Sequence, residues 1–129
     1  MTITIKLDGH LKAKASLDKI HAAVNRGSKI ALVDAMETIM MESEPEVPKD
    51  EGTLERSQFV NDPTDGKDGP EIEGGYASIY AARQHEELEW VHPKKGKAKY
   101  LEDPANRVAP EIPGMFRDRI DAEVERALR

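Results

Sequence analysis

The sequence predicts an α+β fold: a long N-terminal helix and a C-terminal helix packed on one face of a small antiparallel sheet of four or five strands. Three observations carry this expectation. Apolar residues recur at helical spacing over residues 16–43, and again over 113–128. Between them lie short runs of strand-like residues separated by clusters of Gly, Pro and Asp. At 129 residues the chain is large enough for one ordinary core, so a single domain spanning 1–129 is expected.

Residues 2–7 alternate Ile3, Ile5 and Leu7 with Thr4 and Lys6, the period-two pattern of a half-buried opening strand. Ser16 is then a candidate N-cap, with Asp18 near the positive end of the helix dipole. From there Leu17, Ile20, Val24, Gly27 and Ala31 form one helical row, and Ile30, Val33, Met36 and Met40 a second. Gly27 costs about 1 kcal/mol relative to Ala inside a helix, so it marks either close approach of another backbone or a tolerated defect. A helix from 16 to 43 is about 42 Å long, against a radius of gyration of about 13 Å for a domain near this size, so part of it is expected to face another subunit.

Pro45 and Pro48 end the helix, and Leu54, Phe59 and Val60 then suit a strand over 53–60. Residues 61–75, dense in Asp, Gly and Pro with Ile72 as their single large apolar side chain, read as an exposed, mobile acidic loop or a long hairpin tip. The segment 76–93 fits either helix or strand, and strand is the reading favoured. Leu88, Trp90 and Tyr100 flank a Gly-containing connection at 93–97 that has hairpin length. Asp103 before Pro104 reads as an N-cap followed by proline at the first helical position, starting a short turn that Pro110 interrupts. After Pro113, the residues Phe116, Ile120, Val124, Ala127 and Leu128 define the terminal amphipathic helix.

Composition narrows the function. A formal charge of −6 argues against a grip on nucleic acid through phosphate neutralisation. The absence of Cys removes disulfides and thiolate metal sites and suits a reducing compartment. No apolar run approaches the ~20 residues needed to cross a bilayer, and the N-terminus has no apolar signal region.

The most enzyme-like constellation is His85, Glu86, Glu89 and His92, which offers nitrogen and oxygen donors to a divalent metal. Its spacing departs from the two-histidine zinc helix, because Glu89 stands four residues after His85. The plainer reading is a group of solvated polar residues near a hairpin. Lys94, Lys95, Lys97 and Lys99, with Trp90 and Tyr100 nearby, could form a small phosphate or nucleic-acid patch; the plainer reading is a solvated loop whose lysines discourage strand-edge pairing. No serine sits in a nucleophile elbow, and no glycine loop has the strand–loop–helix order that cradles phosphate. Neither catalytic residues nor a cofactor site is therefore expected.

The order of motifs carries more. The opening segment ends in Leu7-Asp8-Gly9, and a long helix follows. Then come Val47-Pro48-Lys49-Asp50-Glu51-Gly52-Thr53-Leu54-Glu55-Arg56-Ser57, Tyr76-Ala77, His85-Glu86 and Lys99-Tyr100-Leu101-Glu102-Asp103-Pro104 before the terminal helix. Over nearly the whole chain this resembles the neck or head-tail joining proteins of siphophages, also labelled minor tail, minor capsid or tail-completion proteins. Pro110 and Pro113, which break a last helix that is continuous in such proteins, and the acidic stretch 61–75 depart from the pattern.

The resemblance implies a virion structural protein without catalysis, made in the host cytoplasm and placed at the head-tail junction. It implies a ring of identical subunits, six to match tail symmetry, that contacts head-completion, tail-terminator or tail-tube proteins. On this reading Gly52, Thr53, Leu54 and Ser57 set the turn into the sheet, Tyr76, His85 and Glu86 continue the motif, and Lys99, Tyr100, Leu101, Glu102 and Pro104 fix the last helix. The negative charge suits that place, since DNA passes an acidic surface without sticking. Two other classes stay open: a metal-dependent hydrolase or nuclease using His85, Glu86, Glu89 and His92, and a phage-encoded cytoplasmic regulatory module that binds a host protein through its acidic surface.

Overall fold

The computed structural model describes residues 1–5, 10–48, 53–77, 86 and 99–129. They form a helix-rich α+β arrangement in which long helices meet a small antiparallel hairpin system.

Helix α1 runs from His10 to Ser43, 34 residues and about 51 Å at 1.5 Å per residue. It starts six residues before Ser16, which lies inside it and caps nothing. The cause is local: the stretch Leu11-Lys12-Ala13-Lys14-Ala15 consists of strong helix formers with no breaker among them. The expected opening strand is not formed within residues 1–5, where Ile3 and Ile5 are exposed and no ladder partner is present; the rest of that stretch lies outside the described residues. A lone period-two pattern needs a neighbouring strand to satisfy its backbone groups.

At its C-terminal end α1 tightens into a 3₁₀ turn over Glu44–Glu46, with Pro45 in its first positions. Val47 N–H closes onto Ser43 O at 3.0 Å. Its own backbone then turns extended, at φ −67° and ψ 130°, as Pro48 requires of the residue before it.

The strand expected over 53–60 divides in two. Thr53–Arg56 is a single helical turn, α2, and only Gln58–Val60 is strand β1. Ser57 marks the break: its N–H and its hydroxyl both donate to Leu54 O, at 3.0 and 2.6 Å. The helical turn carries Leu54 into the core, where an extended chain would alternate it with Thr53 and Glu55.

The acidic stretch 61–75 takes the form of a long hairpin. Strands β2 (Thr64–Gly66) and β3 (Gly69–Glu71) pair across the two-residue connection Lys67-Asp68. Gly69 takes φ 129°, a region that side chains rarely adopt. Below this tip, β1 pairs antiparallel with β4 (Gly74–Tyr76) in the register Gln58↔Tyr76, Phe59↔Gly75 and Val60↔Gly74. The described residues thus hold four strands in two two-stranded ladders rather than one sheet of four or five. Three-residue strands with Gly at four of their twelve positions have little side-chain surface with which to recruit further neighbours.

The hairpin lies against α1. A Cβ at Gly74 would stand 2.8 Å from both Cγ and Sδ of Met36. Asp65 near the tip accepts from Asn25 at 3.3 Å and pairs with Lys29 at 3.0 Å.

Helix α3 spans Glu102–Val108, a 3₁₀ turn follows over Ala109–Glu111, and α4 runs from Ile112 to Ala127. Asp103 is not the expected N-cap. Winding begins earlier, with Asp103 N–H on Lys99 O and Ala105 N–H on Leu101 O, and the cap position is Leu101. Pro104 falls in the first turn, where a missing N–H costs a helix least. Pro110 sits at the 3₁₀ turn and Pro113 at the start of α4, so the two prolines separate α3 from α4 as expected.

Helix α4 packs along α1, and the seam resolves the two readings of Gly27. A Cβ there would stand 2.7 Å from Ile120 Cα and 2.9 Å from Arg119 O. The glycine is therefore the place where two helix backbones cross closely. The buried row on α1 is Ala23, Gly27, Ala31 and Ala35, whereas Leu17 and Val24 of the expected apolar row are exposed. Outside the crossing, Asp34 takes Arg119 in a two-point contact at 2.6 and 3.4 Å. The buried carboxylate of Glu123 holds Arg26 at 3.3 Å and Arg126 at 2.8 Å.

Candidate functional site

The motif positions converge. Val47, Leu54 and Tyr100 form one buried cluster, with Tyr76 and Leu101 packed against it. They come from four places in the chain: the exit of α1, the α2 turn, strand β4 and the entry to α3. Tyr100, 2% exposed, meets Tyr76 edge to face, with ring centroids 5.3 Å apart and planes at 78°. That geometry sets the positive edge of one ring against the negative face of the other.

Polar contacts lock the cluster to the end of α1. The buried Ser43 hydroxyl donates to Met40 O at 2.9 Å, so its lone pairs are left for the phenol of Tyr76, 2.5 Å away. Ala77 N–H donates to Ser57 O at 3.0 Å and fastens the end of β4 to the α2 turn. Burial pushes the Tyr100 phenol up to about 12, with the neighbouring Tyr76 adding to the shift. Burial also raises Tyr76; its bond to Ser43 opposes that rise and the charges of Glu44 and Glu55 reinforce it.

The entry to α3 forms a second layer. Lys99 adopts φ 59°, unusual for a residue other than glycine, and its ammonium reaches Glu86 at 2.5 Å and Glu102 at 3.2 Å. These carboxylates raise its pKa, Glu86 first. Pro104 is fully buried. One turn on, Arg107 returns to the end of α1, clasping Glu46 at 2.7 and 3.3 Å with Glu42 at 3.6 Å.

Leu54, Ser57, Tyr76, Tyr100 and Leu101 thus belong to one joint, with Lys99, Glu86 and Glu102 at its rim. Thr53 begins the α2 turn. Gly52 and His85 lie outside the described residues, as do Glu89, His92, the lysines at 94, 95 and 97, and the hairpin expected around 93–97. Among the described residues no group of three or more His, Asp or Glu side chains is placed to hold a metal ion. Likewise no described helix is long and apolar enough to cross a membrane.

Sequence reasoning missed Ser43 and Arg107 as members of the joint, and gave Val47, which heads the motif tract, no role of its own. Val47 had a signal, standing between two prolines at a helix exit, where an apolar residue has reason only to fold inward. Ser43 and Arg107 had none, since their partners stand 33 and 61 positions away.

Beside the joint lies an open groove of about 330 Å³ between the C-terminal half of α1 and β1. Met40, Met41, Phe59 and Val60 supply its apolar lining, with Glu37 and Glu44 among the residues around it. Nothing in it resembles a nucleophile with an activating base. Chemically the region is suited to packing and docking. Comparison with protein-family models, with curated proteins and with solved structures finds no match for this chain.

Proposed function

We propose that this chain is a head-tail joining subunit of a tailed phage or prophage, a non-catalytic connector of the neck or of tail completion. The observation that carries the proposal is the convergence just described. Five of the residues that give the sequence its resemblance to siphophage neck proteins, Leu54, Ser57, Tyr76, Tyr100 and Leu101, are scattered along the chain, yet they meet in a single joint between α1, the hairpin and α3. Such a joint suits a part that transmits position. A helix of about 51 Å is held at one end by packed aromatics and ion pairs, and α4 splints its middle.

On this reading the subunit forms a ring at the portal side of the tail, with its neighbours among head-completion, tail-terminator and tail-tube proteins. The net negative charge keeps passing DNA from adhering. The test is electron microscopy of a lysate in which this gene carries an early stop codon. Full heads lying apart from finished tails are expected; normal joined particles would overturn the proposal.

A further inference from the structure

Helix α1 is charged the wrong way round. Its N-terminal half carries Lys12, Lys14, Lys19, Arg26 and Lys29 against Asp18, while from residue 31 to its end it carries Asp34, Glu37 and Glu42 and no cation. The first turn has no acidic residue and the last turn no basic one, opposite to what the helix dipole favours at either end. At the C-terminal end Arg107 pairs with Glu42 and with Glu46 just past the helix. At the other end the exposed Lys14 and Lys19 have no carboxylate partner among the described residues.

The apolar row shows the same gap. Towards the middle of α1 the row meets α4 at Gly27. Traced back towards the N-terminus it continues as Val24, Ile20 and Leu17 into a stretch where residues 14–19 are all exposed, Leu17 at 63%. Leu17 and Val24, with the half-buried Ile20 between them and lysines alongside, therefore form an exposed apolar stripe. The groove between the C-terminal half of α1 and β1 is its complement: an apolar lining that includes Met41, 73% exposed, with Glu37 and Glu44 beside it.

We infer that in a pair of copies the basic, apolar N-terminal stretch of α1 from one docks into the acidic, apolar groove of the other. One chain cannot make this contact with itself. Leu17 and Met41 are separated by roughly 35 Å along a continuous helix, so donor and acceptor faces must come from different copies. Joining two different faces gives a head-to-tail contact, which propagates until it closes into a ring or runs on as a filament. Closure into a ring rests on the connector reading above; the contact itself does not.

The test uses the full chain and two single variants, Leu17→Glu on the donor face and Met41→Glu in the groove, with light-scattering mass measured at low salt. Both positions are solvent-exposed, and circular dichroism verifies that each variant keeps the helical fold. The wild type is expected as an assembly of several copies, and each variant alone at the single-chain mass of 14.4 kDa. Mixed in equal amounts, the variants are expected to form a species of two chains and nothing larger, because one intact donor and one intact groove remain. Lys19→Glu on the donor side is expected to weaken assembly in the same direction, and raised salt to weaken that of the wild type.

A wild type that stays at single-chain mass overturns the inference, as does a variant that assembles like the wild type or a mixture that remains single chains. A monomeric wild type that instead binds isolated heads or tails through Leu17 means that another virion protein fills this role. Assembly indifferent to both substitutions removes this contact and leaves the connector reading standing. Joined particles from the stop-codon lysate remove the connector reading and leave the contact.

Discussion

The seam between α1 and α4 and the joint around Tyr100 hold the same helix by opposite means. In the seam the row around the crossing is made of small residues, and strength comes from closeness: at Gly27 the backbone of α4 occupies the space a Cβ would need. In the joint large rings fill the interior, and hydroxyls and carbonyls bind its parts together. The seam therefore tolerates no added atom, whereas the joint tolerates no removed one. The seam acts as a splint that fixes the direction of α1, and the joint as a socket that fixes where its end sits.

The largest expected effect tests the joint. Tyr100→Ala empties a site that is 2% exposed and should destabilise the chain by about 3–5 kcal/mol, the range for truncating a buried aromatic. In a domain whose total stability is about 5–15 kcal/mol this is a large share, and urea denaturation reads it directly. Next comes the seam: Gly27→Val forces atoms against Ile120 Cα, which is backbone and cannot rotate away, and should cost about 1–3 kcal/mol. If Gly27→Val proved neutral and Tyr100→Ala did not, closeness would not be what holds the seam, and the contrast would fail.

A pair of substitutions sharpens the account of the joint. Ser43→Ala leaves the Tyr76 phenol without its acceptor, at a cost of about 1–3 kcal/mol. Tyr76→Phe leaves Ser43 still donating to Met40 O and should cost less, about 0.5–1.5 kcal/mol. Equal losses from the two would mean that the hydroxyl pair is not the lock.

Alkali separates the two regions without mutation. The folded Tyr100 phenol ionises near 12 against an ordinary value of 10.0, so below pH 10 the folded and unfolded chains bind the same protons there. Above it the unfolded chain releases a proton that the folded chain retains. Stability should fall as pH rises from about 10 towards 12. Tyrosinate absorbance followed together with thermal melts checks this, and Tyr100→Phe should flatten the loss. The smallest effect belongs to the rim of the seam: Arg119→Ala removes an exposed pair with Asp34 and should lower the melting temperature slightly, by an amount that shrinks as salt rises.

What could be read from the sequence was local in cause. Periodicity and helix-forming residues define the two long helices, and Pro45, Pro48, Pro110 and Pro113 interrupt them, because propensity and the missing proline N–H act within a few residues. The same locality accounts for the hairpin tip, since Gly66, Lys67, Asp68 and Gly69 close a two-residue connection by their own conformational preferences. Five of the motif positions belonged together in the order of the chain before they met in space.

Tertiary structure decided the rest. Helical spacing identified a row through Leu17, Val24, Gly27 and Ala31 but could not say which part of it α4 would cover, because coverage depends on where the partner helix ends. The strand-like residues at 53–60 became a helical turn and a strand because Leu54 had to reach Val47 and Tyr100. Ser43 met Tyr76, and Arg107 met Glu46, across distances in sequence that no local pattern encodes. Short-range preferences select the elements; which faces are buried, and which stay exposed, follows only when those elements compete for the same space.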